Sequence, residues 1–130
     1  LMDQNFVFLL EKCSMGNLTG AETIDTTDKV SGCVVATSKG YPHEYKTGFP
    51  IKIRNIDSLD CQIFDSGTSF SKNGELLTDG GRVFSVVCQD KDFDVVFEKA
   101  YKNLKKINFN GIYFRNDIGH QVRKNFSKEN

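Results

Sequence analysis

Tryptophan is absent from this sequence, proline occurs only twice, and neither sign of charge is in excess, since 17 Lys and Arg balance 17 Asp and Glu. A neutral chain gives no electrostatic support for nucleic acid or an acidic membrane as a partner, so any anion site must be local. The residues present have a globular composition, with 38% apolar residues and eleven Phe. A chain of 130 residues fits one compact domain.

Metal-binding and redox patterns are missing as well. The four cysteines lie 20 to 28 residues apart, with no Cys-x-x-Cys pair and no nearby His to complete a zinc site. Isolated cysteines in apolar segments behave mostly as small hydrophobic residues. We therefore predict four reduced core thiols and a cytoplasmic protein. The four are Cys13, Cys33, Cys61 and Cys88.

The first residues lack an export or membrane signal, because no basic stretch precedes the apolar residues and Asp3, Gln4 and Asn5 interrupt them. Apolar positions recur at helical spacing over residues 1–15, and Gly16-Asn17 ends the pattern. No Ser, Thr or Asp stands before the first turn. We expect an uncapped helix and a chain that has been cut within it.

Strands and turns alternate along the rest of the chain before a second helix. Apolar spacing of three and four predicts that helix at 93–107, with its lysines on a solvated face. Asn73-Gly74 predicts a hairpin turn, and the polar tail from Gln121 should fray. Strands in this order with a helix near each end predict an α+β domain with a mainly antiparallel sheet. Strands are predicted at 30–37, 61–70, 82–88 and 109–114.

Three segments combine glycine with a charged residue near a predicted strand end, where backbone can approach a ligand closely. In the first, Lys39 offers a point charge to an anion. In the second, two glycines expose successive N–H groups, and Arg82 can bind a phosphate through two N–H groups. The segments are Ser38-Lys39-Gly40-Tyr41-Pro42, Thr78-Asp79-Gly80-Gly81-Arg82 and Tyr113-Phe114-Arg115-Asn116-Asp117-Ile118-Gly119.

Each segment also has an ordinary structural interpretation. The first fits a tight turn with an exposed lysine, and the second fits an Asp-Gly hairpin turn whose Arg82 pairs with a carboxylate. The third fits a loop fixed by an ion pair between Arg115 and Asp117. His43 and His120 have no Ser, Cys or Asp constellation around them in the sequence. No catalytic residue and no metal ligand is predicted.

The order and spacing of four motifs resemble the end of phosphoribosylamine-glycine ligase, an ATP-grasp family also called glycinamide ribonucleotide synthetase, over nearly the whole chain. The family patterns are K-G-Y-P-G-D-Y, F-H-A-G-T, T-N-G-G-R-V and Y-R-K-D-I-G. Their counterparts here are Lys39-Gly40-Tyr41-Pro42-His43-Glu44-Tyr45, Phe64-Asp65-Ser66-Gly67-Thr68, Thr78-Asp79-Gly80-Gly81-Arg82-Val83 and Phe114-Arg115-Asn116-Asp117-Ile118-Gly119. The departures include His43 for Gly, Asp65 for His, Asp79 for Asn and Asn116 for Lys, and none of them removes a glycine or arginine of the three candidate segments.

The resemblance implies the C-terminal domain of an ATP-grasp ligase, with residues 1–18 as a helix ending the ATP-grasp core and residues 19–130 as the C-terminal α+β domain. The complete enzyme would join glycine to 5-phosphoribosylamine with ATP and magnesium, giving glycinamide ribonucleotide for purine biosynthesis. The family's Glu-x-Asn metal motif lies just upstream of the part that residues 1–10 resemble. ATP and Mg²⁺ are therefore expected mainly in the upstream region, and this segment alone is expected to be inactive.

On the same resemblance, this domain forms one wall of the substrate site. Arg82 and the backbone of Gly80-Gly81 would hold the ribose 5-phosphate, and residues 39–42 would shape its entrance. The full set of expected substrate-binding residues is Lys39, Gly40, Tyr41, Pro42, Gly80, Gly81, Arg82, Arg115 and Asp117.

Two other classes of function are compatible with the composition. One is a free-standing, non-catalytic module that binds a phosphorylated small molecule or a partner protein. The other is a nucleic-acid binder, which would need a basic stripe interleaved with aromatic residues. Only the lysine-bearing face of the second helix approaches such a stripe, and the zero net charge argues against it.

Overall fold

The structure is a computed structural model that describes residues 1–56 and 60–124. It confirms the predicted α+β class, since two helices accompany a mainly antiparallel set of strands. In chain order the elements are α1 (Phe6–Ser14), β1 (Val30–Ser38), β2 (Lys52–Ile53), β3 (Cys61–Asp65), β4 (Thr68–Phe70), β5 (Leu76–Thr78), β6 (Arg82–Asp90), α2 (Phe93–Leu104), β7 (Ile107–Asn108) and β8 (Ile112–Tyr113).

The central sheet has the strand order β3-β6-β1-β8, and every neighbouring pair is antiparallel. Its two long strands pair over nearly their whole length, with Val34 opposite Val86 and Ala36 opposite Phe84. All four side chains are at most 2% exposed, so this pairing forms the centre of the core.

Helix α2 covers one face of this sheet. Its side chains at helical spacing, Val96, Ala100 and Leu104, are fully buried, as the apolar pattern predicts. The carboxylate of Asp92 caps the helix by accepting a hydrogen bond from the N–H of Asp94 at 2.7 Å. The helix ends at Leu104, before the predicted end at residue 107.

The predicted hairpin at Asn73-Gly74 is confirmed, because β4 and β5 pair around this turn. The predicted strand at 61–70 is divided in two. The N–H of Ser66 still donates to the carbonyl of Val83 in β6. The carbonyl of Gly67 instead accepts from the N–H of Asp79, and the chain then enters the β4–β5 hairpin. Strands β2 and β7, which pair with each other, are not predicted from the sequence.

The expectation of an uncapped first helix is wrong. Helix α1 begins at Phe6, and the side-chain oxygen of Asn5 accepts hydrogen bonds from the N–H groups of Val7 and Phe8. Asparagine is as strong an N-cap residue as Ser, Thr or Asp. Because Asn5 caps the helix, the helix start gives no argument that the chain is cut within it.

The prediction of four reduced core thiols is also wrong. Cys61 and Cys88 are buried, but they are joined by a disulfide, and Cys13 and Cys33 are exposed free thiols. The disulfide follows from strand register, which places Cys61 directly opposite Cys88 with a Cα–Cα distance of 4.1 Å. Directly opposite residues of antiparallel strands come this close when their pair is not hydrogen-bonded.

The lysines of α2 are not all on a solvated face. The ammonium group of Lys99 lies 2.7 Å from a carboxylate oxygen of Asp90 and 3.3 Å from one of Asp60. The hydrogen bond from Lys99 holds the pKa of Asp90 below its ordinary value. This ion pair ties the helix to the end of β6.

The predicted fraying of the tail concerns mainly residues 125–130, which lie outside the described residues. In the part of the chain that the structure describes, neither helix has the length and apolar character needed to cross a bilayer.

Substitution of Val96 should test the packing of α2. Removal of two buried methyl groups leaves a cavity, so we expect Val96→Ala to lower the free energy of unfolding by about 2 kcal/mol. Val95→Ala is the matched control, because Val95 is 36% exposed and Val96 is fully buried. The control should change stability by less than about 0.5 kcal/mol. Equal losses in denaturant unfolding would contradict this packing.

Thiol alkylation should test the cysteine pairing. In the unfolded but unreduced protein, we expect label on Cys13 and Cys33 and none on Cys61 or Cys88, because a disulfide has no thiolate to react. Peptide mass spectrometry gives the labelled positions. After reduction all four should react. Label on all four before reduction would restore the prediction of reduced thiols.

Candidate functional site

The first two candidate segments and the start of the third, Tyr113, lie at one end of the central sheet. Thr37, near the end of β1, faces Arg82 of β6 on one side and Tyr113 of β8 on the other. The register between β1 and β6 shifts between Ala36 and Thr37. Such irregularities re-aim the end of a strand and occur often beside functional sites.

Ser38 connects the end of β1 to the two glycines before β6. Its N–H donates to the carbonyl of Gly81 at 2.8 Å, and its hydroxyl Oγ donates to the carbonyl of Gly80 at 2.9 Å. We call the stretch Asp79-Gly80-Gly81 the diglycine turn. One buried residue thus holds two successive peptides of this turn.

The segment that follows β1 folds against the same turn. Gly40 has φ +100°, which favours glycine, and the Tyr41–Pro42 peptide is cis. The ring of Tyr41 lies so close to Gly81 that a Cβ there would come within 2.1 Å of ring Cδ2. A glycine is required at residue 81 for this contact.

A cavity of about 410 Å³ opens beside this junction. The loop before β8 closes one side, where the N–H of Lys39 donates to the carbonyl of Gly111 at 2.7 Å. Part of the lining comes from residues 46–49 and 110–111. The sequence did not identify these residues as site candidates, because they lie in irregular segments. The cavity is lined by Lys39, Glu44, Tyr45, Lys46, Phe49, Asn110 and Gly111.

The charged side chains at this end of the sheet have no carboxylate partner among residues 1–56 and 60–124. Arg82 is exposed and forms no ion pair there, and neither does Lys39. The structural interpretation in which Arg82 pairs with a carboxylate is therefore not met within the described residues. Lys39 and Arg82 are therefore two cations that can bind an anion.

Arg115 and Asp117 form a separate unit anchored on α2. The guanidinium Nε and Nη2 of Arg115 donate to the two carboxylate oxygens of Asp117 at 2.8 and 2.6 Å, which confirms their predicted ion pair. The hydroxyl of Tyr101 donates to the carbonyl of Arg115 and accepts from the N–H of Ile118. Burial raises the pKa of the Tyr101 phenol. Because both carboxylate oxygens of Asp117 accept from Arg115, the charge of the Arg115 guanidinium is already neutralised.

Residues that could hold a metal ion are not clustered in the described part of the chain, where no group of three or more His, Cys, Asp or Glu side chains has suitable spacing. His43 and His120 are exposed. The ring Nδ1 of His120 lies 3.0 Å from the carbonyl of Asp117 and so belongs to the ion-paired loop.

Known proteins match this chain over most of its length. A family model described as "Phosphoribosylglycinamide synthetase, C domain" matches residues 31–121. The phosphoribosylamine–glycine ligase of Caldanaerobacter subterraneus subsp. tengcongensis is 40% identical over 119 residues, which are 91% of this chain and 28% of the relative. The corresponding enzyme of Clostridium acetobutylicum is 38% identical, again over 119 residues, with 92% of this chain and 28% of the relative covered.

A solved structure agrees with these matches. The crystal structure of phosphoribosylamine–glycine ligase from Thermotoga maritima superposes with a TM-score of 0.72 at 27% identity, covering 86% of this chain and 27% of that one. The chain therefore spans less than a third of the length of the curated relatives described above.

The Arg115–Asp117 pair should be visible in a pH titration. Hydrogen bonds from Arg115 lower the pKa of Asp117, so the pair stabilises the fold above the unfolded carboxyl pKa of about 3.9. This stabilisation is lost as the pH falls through the lower, folded value. By carboxyl NMR, Arg115→Gln should raise the pKa of Asp117, while Arg54→Gln should leave it unchanged. An unchanged pKa in Arg115→Gln would contradict the pairing.

Proposed function

Because the chain belongs to the family of the phosphoribosylglycinamide synthetase C domain, we propose that it is the C-terminal domain of a phosphoribosylamine–glycine ligase. The complete enzyme joins glycine to 5-phosphoribosylamine at the expense of ATP and forms glycinamide ribonucleotide in purine biosynthesis. The identities of 40% and 38% to enzymes of that name support this proposal.

The proposal divides the chain into two parts. In this proposal residues 1–18, which contain helix α1, belong to the ATP-grasp core, and residues 19–130 belong to the C-terminal α+β domain. The apolar surface of α1 supports this division, because Phe6, Val7 and Leu10 are 59%, 72% and 53% exposed. A helix that leaves such residues in solvent gains little from the domain beside it. The upstream region of the same polypeptide is the partner that would cover it.

We assign binding of the ribose 5-phosphate to Arg82 and the diglycine turn. The observation that carries this assignment is the position of Arg82, an exposed cation without an ion pair among the described residues, directly after two glycines. Guanidinium and backbone N–H groups together match the oxygens of a phosphate. The segment Lys39-Gly40-Tyr41-Pro42 packs on this turn and shapes the entrance.

Arg115 and Asp117 have a weaker claim to contact the substrate directly. Their charges satisfy each other through two hydrogen bonds. Their role in the proposal is to hold the loop after β8 beside the site, with substrate contact limited to the exposed edge of the pair.

The magnesium and the triphosphate of ATP are assigned to the upstream region. Metal ions in such reactions need carboxylate ligands, and the described residues of this chain contain no suitable cluster. The segment alone is therefore proposed to be inactive. Its contribution is to bind and orient one substrate while the upstream region carries out the chemistry.

A cytoplasmic location fits the small phosphorylated substrates of the proposed reaction. The disulfide between Cys61 and Cys88 does not support it, because disulfides are rare in that compartment. The alkylation of the cysteines bears directly on this part of the proposal.

Replacement of Arg82 in the complete enzyme tests the phosphate assignment. Loss of charge-assisted hydrogen bonds should raise the KM for 5-phosphoribosylamine roughly 10-fold to 100-fold in Arg82→Ala. The KM values for ATP and glycine should stay within about twofold, because Arg82 acts on the third substrate alone. Arg54→Ala, an exposed arginine at the end of β2, is the control. Unchanged kinetics in Arg82→Ala would refute the assignment.

A further inference from the structure

Two buried hydroxyl groups flank the diglycine turn. In the part of the chain that the structure describes, the buried polar side chains are Ser38, Thr78 and Asn103. Ser38 and Thr78 are only 3% and 1% exposed. Burying a polar group lowers the stability of the fold unless the group is hydrogen-bonded. The burial of both Ser38 and Thr78 at one turn therefore needs a physical explanation.

Ser38 fixes the turn from the side of β1. Its N–H and hydroxyl hold the carbonyls of Gly81 and Gly80. In a trans peptide the carbonyl and the following N–H point in opposite directions. The N–H of Gly81 is therefore turned away from Ser38, and among the described residues it has no acceptor. Gly81 itself is buried under the ring of Tyr41, so the two hydrogen bonds of Ser38 fix the backbone directly before Arg82.

Thr78 fixes the turn from the other end. Its N–H donates to the carbonyl of Phe49 at 2.9 Å, and its hydroxyl oxygen accepts from the N–H of Phe49 at 3.1 Å. The carbonyl of Thr78 accepts from Gly48 at 2.7 Å. The residue before the turn is thus held in place through its backbone and its side chain.

Glycine has the most conformational freedom of any residue, and two glycines in succession would sample many backbone states if their ends were loose. A ligand that binds such a turn must order it, which lowers affinity. From these contacts we infer that Ser38 and Thr78 are positioning residues, which hold the diglycine turn and Arg82 in the geometry that binds the substrate phosphate. This inference rests on the proposed function.

The inference is tested in the complete enzyme with Ser38→Ala. We expect the KM for 5-phosphoribosylamine to rise about tenfold, with the KM values for ATP and glycine and the kcat within about twofold, since only one substrate site is loosened. Ser31→Ala is the matched control. The hydroxyl of Ser31 donates to the carbonyl of Cys88 at the opposite end of β1. The control should leave all three KM values unchanged.

Thr78 provides a second test if Ser38→Ala does not fold, as judged by its Tm against that of Ser31→Ala. Thr78→Val removes the oxygen that accepts from Phe49, and Thr78→Ser keeps it. We expect a selective rise in the KM for 5-phosphoribosylamine in Thr78→Val and a value near wild type in Thr78→Ser. Equal values in the two variants would overturn the inference.

Arg82→Ala, measured beside these variants, separates the two proposals. A raised KM in Arg82→Ala with no change in Ser38→Ala overturns the positioning role and leaves the phosphate assignment standing. No change in Arg82→Ala overturns both. A parallel rise of all three KM values in Ser38→Ala would indicate a general structural loss and would also overturn the positioning role.

Discussion

The antiparallel pairing of β1 with β6 is the constraint on which the rest of the structure depends. It places Val34, Ala36, Phe84 and Val86 in the core, and α2 packs against the surface they form. The same pairing puts the end of β1 beside the beginning of β6. The candidate site is therefore built at the end of the most buried part of the sheet, and stability and site geometry share one set of contacts.

A rigid sheet also explains how two consecutive glycines can serve a site. The diglycine turn is held by Ser38 on one side and is preceded by the buried Thr78. Close contact with the ring of Tyr41 covers Gly81. Flexible residues in the sequence thus become an ordered surface, because hydrogen bonds from buried neighbours replace the restraint that side chains would supply.

Local signals predicted much of the fold. The apolar spacing of α2, the β-branched run of β1 and the Asn73-Gly74 turn act over a few residues, so the sequence predicts them well. Strands β2 and β7 were not predicted, because each has only two residues and so shows no alternating apolar pattern. The Cys61–Cys88 disulfide was not predicted, because it depends on the register of two strands that brings together residues 27 positions apart in the sequence.

By itself the sequence determined the α+β class, the motifs that place the chain in its family, and the glycines and cations of the candidate site. Tertiary structure alone decided which of them act together. It brought Lys39–Pro42 onto the diglycine turn and left Arg115 paired with Asp117 on the side of α2. The reason is that strand pairing fixes which distant residues become neighbours, and the spacing of residues along the chain does not identify which strands pair.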